Sequence, residues 1–145
     1  MKASELSIGD WVKVLNYYWD GSPYIGQVDG IVKKHGTYYL QFVDAFSADI
    51  DRCEPIPLTP EILQKNGFEL KEEDETHTTY VSVWNGNAII SFAFFKETMY
   101  DVDTVLQCEF GFDGGLDRLH HCHTQYVHQL QHALRLCGFE KEIEL

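Results

Sequence analysis

Thr78-Thr79-Tyr80-Val81-Ser82-Val83-Trp84-Asn85-Gly86-Asn87-Ala88-Ile89-Ile90-Ser91-Phe92-Ala93-Phe94-Phe95 is the stretch on which the fold turns. Tyr80, Ser82 and Trp84 alternate with Val81 and Val83, the period of two that sends successive side chains to opposite faces of a strand. Asn85-Gly86 tolerates the positive φ angles of a tight hairpin, and 88–95 is an apolar, aromatic-rich return strand. An antiparallel pair over 78–95 is predicted, with a third strand within 102–112 before Asp113-Gly114-Gly115 breaks the chain. Beyond that break the period changes. From residue 116 or 119 to 136, Leu119, His123, Tyr126, Val127, Leu130, Leu134 and Cys137 fall on one stripe at about 100° per residue, so an amphipathic helix is predicted to cover the sheet. Gly138 is placed to end it, and 139–145 is read as a short edge strand.

Working back toward the N-terminus, Thr59-Pro60-Glu61 reads as N-cap, N1 proline and acidic first turn, with Asn66-Gly67 as the stop of a two-turn helix. Phe68-Glu69-Leu70 is read as the start of a strand. Residues 71–75 hold four acids in five positions and are read as a solvated loop. Residues 8–58 read as β: strands near 11–15, 25–33, 37–43, 48–50 and 53–56, with a hairpin at His35-Gly36 and bends or bulges at Gly26 and Gly30. Asp20-Gly21-Ser22-Pro23 marks an exposed loop although Tyr17, Tyr18 and Trp19 lie in it. The opening Ile8-Gly9-Asp10-Trp11-Val12-Lys13-Val14 resembles the first strand of many SH3-like barrels, a likeness of fold that names no ligand. The expected fold class is α+β: an N-terminal SH3-like small β-barrel (1–58), followed by an α+β domain (59–145) whose antiparallel sheet is covered by the C-terminal helix.

The 145 residues suffice for one real core, and 44% hydrophobic with 23% charged residues excludes disorder over most of the chain. Eleven Lys and Arg against twenty-three Asp and Glu leave a net charge of −12. Residues 1–58 carry five basic and eight acidic residues, net −3, and residues 59–145 carry six and fifteen, net −9. Such a chain repels nucleic acid and anionic membranes, so neither is expected as a direct partner. The apolar run 88–95 is far shorter than the roughly 20 residues of a membrane span, and the first residues do not lead into a signal peptide. A cytoplasmic protein is expected, with Cys53, Cys108, Cys122 and Cys137 as reduced thiols.

Three constellations could carry chemistry. On the expected helix, His121, Gln125, His128 and His132 form an outward stripe, and His128 and His132 are an i, i+4 pair able to share a metal ion, with Asp117 within reach. No H-E-x-x-H signature accompanies them, so the plain alternative is a histidine-rich solvent face, and no cofactor is expected, zinc being the candidate for these histidines. Asp101, Asp103, Glu109, Asp113 and Asp117 could offer oxygen ligands to a hard cation, or form a solvated acidic loop. The third is aromatic: Tyr17, Tyr18 and Trp19, joined by Tyr24 and by Tyr38 or Tyr39, could stack a base, grip a proline-rich peptide or enclose a cationic side chain, the negative charge disfavouring the first, or could cap an undersized barrel core. Neither a nucleophile elbow nor a phosphate-cradling glycine loop occurs, so no catalytic residue is assigned.

Two segments, Pro55-Ile56-Pro57-Leu58-Thr59-Pro60-Glu61-Ile62-Leu63 with Gly67-Phe68, and Tyr126-Val127-His128-Gln129-Leu130-Gln131, resemble small prophage-like proteins of Bacteroides-type bacteria. That resemblance spans about a third of the chain by identity and carries no activity with it. The expectation is an accessory, protein-binding module of mobile-element type, in one version an acidic inhibitor of a nucleic-acid-binding host factor. The competing expectation is a metal-dependent enzyme using the histidines of the C-terminal helix.

Overall fold

The computed structural model describes residues 1–73, 75, 77–84, 88–95, 107–112, 124–136, 139 and 141–145. The chain is α+β and forms two units: Met1–Pro57 with Tyr126–Glu140, and Leu58–Gln125 with Lys141–Leu145.

In the first unit, β1 (Trp11–Val14), β2 (Tyr24–Lys34), β3 (Thr37–Phe42), β4 (Ser47–Asp49) and β5 (Cys53–Pro55) make an antiparallel sheet in the order β4-β3-β2-β1-β5. His35 and Gly36 both take positive φ, +50° and +90°, the pair of left-handed residues that a two-residue hairpin between β2 and β3 requires. The pleat sends Val12, Val14, Val28, Leu40, Phe42, Ala48 and Cys53 into one core. Each fully buried large side chain among them contributes about 1.5–3 kcal/mol of apolar burial. β2 carries a bulge between Val28 and Gly30, as its glycine suggested. The sheet does not close. A 3-10 turn, Ile50–Arg52, carries the chain from β4 to β5, and no ladder joins those two edges, so the SH3-like barrel is met only as an open five-stranded sheet.

In the second unit, α1 (Pro60–Lys65) starts as read: the Thr59 hydroxyl accepts from the Ile62 N–H, and Pro60 stands at N1. β6 (Glu69–Glu73), β7 (His77–Trp84), β8 (Ala88–Phe95) and β9 (Gln107–Phe112) pair in sequence as an antiparallel sheet. The β7–β8 ladder runs without a break from His77↔Phe95 to Trp84↔Ala88, and β9 lies within the segment predicted for a third strand. The acidic run is a difference. Glu69–Glu73 pairs as an exposed edge strand rather than looping, because an edge needs only backbone partners on one side and its carboxylates stay in water on both faces.

The C-terminal helix departs most from expectation. α2 (Val127–Leu136) begins several residues later than predicted among the described residues, and it belongs to the first unit, not to the one built around the sheet of 59–145. Its start is held by two long-range backbone contacts and one local bond: Tyr126 pairs with Pro57 across an isolated bridge, the Val127 N–H donates to the Ile56 carbonyl, and the Gln129 side chain reaches back to the Tyr126 N–H. A glutamine at the third helical position bonding back to the cap residue is half of a capping box. The tail 141–145 forms no strand. Glu144 instead pairs through its backbone with both amide atoms of the buried Asn66 side chain, at 2.8 and 3.0 Å, which ties the tail to the end of α1.

Candidate functional site

Two places in the first unit gather the chemically capable side chains. The first is the loop between β1 and β2. Its backbone is tightly folded: the Tyr17 and Tyr18 N–H groups both donate to the Ser22 carbonyl, and Gly21 donates to the Tyr18 carbonyl. Asp20 accepts from the Ser22 N–H at 2.9 Å and from its hydroxyl at 2.6 Å. Those bonds, the hydroxyl first, hold the Asp20 carboxyl below its ordinary range and keep it ionised. The Arg52 guanidinium bridges the Leu15 and Asn16 carbonyls, fixing the point where the loop leaves β1.

Aromatic rings run outward from the core along this loop. Buried Phe42 stacks on Phe46 at 4.6 Å, Phe46 meets Tyr17 at 4.7 Å and Tyr24 at 4.6 Å, and Tyr17 meets Tyr18 edge to face at 4.9 Å and 88°. Gly26 makes room for this: a Cβ there would stand 2.3 Å from the Tyr24 ring, which lies along its own strand. Tyr24 also donates its hydroxyl to Asp44, and burial, with that bond second, pushes its pKa up to about 12, so the phenol stays a neutral donor. Tyr17 and Tyr18 are exposed at their outer sides, and Trp19, beside the Asp20 position of the turn, is fully exposed and makes no ring contact with the described residues. Four of the five expected aromatic residues therefore share one loop region. Tyr38 does not join them: it sits at the hairpin end of β3, with the Lys33 ammonium 5.0 Å from its ring centre.

The second place is Asp10, read from the sequence only as part of the opening of the first strand, with no role assigned to it. Asp10 is 0% exposed. Its carboxylate accepts from the Ser7 N–H at 2.7 Å, meets His132 Nε2 at 2.7 Å and accepts from Arg135 at 2.9 Å. Alongside, the Gln131 amide donates to the Gly9 carbonyl at 2.9 Å and accepts from the Trp11 N–H at 3.0 Å. α2 is thus clasped to the entry of β1 through three side chains on one helical face. The only sequence signal was the spacing itself: Gln131 and Arg135 stand at i, i+4 with His132 between them.

The expected outward histidine pair is corrected here. His132 is 30% exposed at its side chain and engaged by Asp10, while His128 is 3% exposed and buried, with Nδ1 lacking a hydrogen-bond partner among the described residues. Burial first, and His132 further down, hold His128 below its ordinary pKa of 6.5, against the pull of Asp10. The two rings stand edge to face with centres 5.9 Å apart. His128 turns inward because the helix buries a broad face that includes His128 and Gln131, wider than its apolar stripe. His121 and Asp117, the other expected ligands, lie outside the described residues, as do Asp101, Asp103 and Asp113. No group of three metal-ligating side chains occurs among the described residues. Cys53 is a buried free thiol whose pKa burial pushes up to about 11, so it is a poor nucleophile at neutral pH.

No family model, no curated protein and no solved structure matches the chain. No helix among the described residues is long and apolar enough to cross a membrane.

Proposed function

We propose that the protein is a non-enzymatic accessory module that binds a protein partner in the cytoplasm through the loop 17–24. One observation carries the reading: the Trp19 indole stands wholly in water on a loop whose backbone is pinned by its own hydrogen bonds and by Arg52. An indole left in water forgoes a large apolar burial, and tryptophan and tyrosine dominate the centres of protein interfaces. Preorganisation matters too, since a loop already folded loses little entropy when a partner docks. The ring stack beneath has its own task, capping the core through Phe46 and Tyr24, and it leaves Tyr18 and Trp19 as the free elements.

The open sheet, with its 3-10 turn between the last two strands, serves in this reading as an SH3-like scaffold, and the Tyr126-to-Gln131 motif supports a place among mobile-element proteins. That motif works in folding, with Gln129 capping α2 and Gln131 pinning β1, so it adds no site. A basic partner is favoured by the net charge of −12 and by the exposed acidic strand β6. In the narrower version that partner is a nucleic-acid-binding protein whose phosphate contacts the carboxylates replace. Affinity capture with identification by mass spectrometry tests the reading. A defined protein should be retained by the wild type and by Leu70→Ala, and lost by both Trp19→Ala and Tyr18→Ala. Equal retention by all four removes the loop as the binding surface.

A further inference from the structure

We infer that the occupant of the loop 17–24 is an arginine side chain presented by the partner, an inference that rests on the docking surface proposed above. Tyr17, held in the ring stack by Phe46 and Tyr24, meets Tyr18 edge to face at 88°, so the half-exposed Tyr18 ring is fixed in orientation, and the fully exposed Trp19 indole follows it in the chain. Aromatic faces carry negative potential and attract cations, and a planar guanidinium can stack on an indole while still donating hydrogen bonds at its rim.

Charge points the same way. Asp20 lies next to Trp19, is exposed, and is held ionised by Ser22; the Ser22 N–H and hydroxyl both reach the same carboxylate oxygen, Oδ1, and among the described residues no side chain occupies the other. Asp44 adds a second carboxylate to the ring cluster, accepting from the Tyr24 hydroxyl at 2.7 Å. No lysine or arginine occurs in residues 15–32 or 42–51; of the basic residues beside these stretches, Lys13 pairs with Glu54 at 2.8 Å, Lys33 lies over the Tyr38 ring, and Arg52 spends its guanidinium on the Leu15 and Asn16 carbonyls. The loop therefore has exposed aromatic rings and two carboxylates, neither of which forms an ion pair among the described residues. A neutral apolar anchor would satisfy the rings and leave Asp20 to be desolvated beside it, which costs free energy; a guanidinium satisfies both.

The test uses the full chain labelled with 5-fluorotryptophan, the Trp19 resonance being assigned as the one missing in Trp19→Phe. Three Gly/Ser peptides, alike except for a central arginine, citrulline or norleucine, are titrated by ¹⁹F NMR. Citrulline keeps the planar shape and loses the charge. The arginine peptide should move the Trp19 resonance saturably and bind about fivefold or more tightly than citrulline, with the advantage shrinking between about 0.05 and 0.5 M salt. Asp20→Asn should cut the arginine affinity and leave that of citrulline in place, and Asp44→Asn gives a second reading should the first variant disturb the turn. Equal binding of arginine and citrulline, stronger binding of norleucine, or no movement with any peptide at about 5 mM overturns the arginine inference. The docking surface itself fails on a different result, partner capture that ignores Trp19→Ala.

Discussion

Asp20 and Asp10 are both aspartates in the turns that flank β1, and their surroundings could hardly differ more. Asp20 bonds to Ser22, two residues on, and stays in water; Asp10 is sealed from solvent and bonds to Ser7, then to His132 and Arg135, 122 and 125 residues away. A local, solvated carboxylate shapes a loop and leaves its charge available to a partner. A buried carboxylate that collects partners from a distant helix fixes the tertiary structure and has no charge left to offer. The same residue type thus serves recognition in one turn and folding in the other, and the difference lies in which groups the fold brings to it.

Breaking the Asp10 side has the largest expected effect. Asp10→Ala leaves the Ser7 N–H, His132 and Arg135 without their acceptor, and urea denaturation should show a loss of about 2–4 kcal/mol, the upper end being held down by the partial exposure of His132 and Arg135. A loss below about 0.5 kcal/mol would mean that the clasp does not hold α2. Gln131→Ala strands the Gly9 carbonyl and the Trp11 N–H and should cost about 1–3 kcal/mol by the same measurement. On the loop side, Gly26→Ala drives a methyl group into the Tyr24 ring and should cost about 1–3 kcal/mol, with altered tyrosine signals in near-ultraviolet circular dichroism.

The next effect is in pH. Burial keeps the folded-state pKa of His128 below its ordinary 6.5, so the unfolded chain takes up that proton first as pH falls. The His128 contribution to stability is therefore intact above the unfolded value and declines as pH drops from about 6.5 toward the lowered folded one. Thermal melts across that window should show the decline, and His128→Leu should flatten it while changing stability at neutral pH by less than about 1.5 kcal/mol, since it removes an unpartnered buried nitrogen. An acid slope unchanged in that variant assigns the titration elsewhere. Smallest of all is Trp19→Ala, expected within about 0.5 kcal/mol of wild type in stability because its ring contacts nothing described. Together, loss of binding in Trp19→Ala and loss of stability in Asp10→Ala would separate the two regions cleanly.

Residue by residue, the candidate site was half legible. Tyr17, Tyr18, Trp19 and Tyr24 were found because turn formers and aromatics are neighbours in the chain, and Asp20 was found as part of that turn. Tyr38 was misplaced into the cluster, since strand direction sends it to the far end of β3. The role of Asp10 and the partners of Gln131 were not legible, because nothing near either residue announces a group 120 or more positions off. His128 was read as outward from an apolar stripe that proved narrower than the face the helix buries.

What the chain determined by itself is the part governed by short-range rules. Alternation over 78–95, the Thr59-Pro60 start of α1, the His35-Gly36 hairpin and the tight turn at 18–22 follow from backbone sterics and side-chain bonds spanning no more than a few residues. Only the tertiary structure decided that the sheet of 11–55 stays open, that α2 joins the first unit, and that a histidine and a glutamine are buried on it. These outcomes depend on which distant backbone groups need partners once the strands are in place: the Gly9 carbonyl and the Trp11 N–H acquire theirs from Gln131, and Asp10 from His132 and Arg135. Periodicity reports how apolar a face is, and it carries no information about the polar groups that a neighbouring element will ask that face to satisfy.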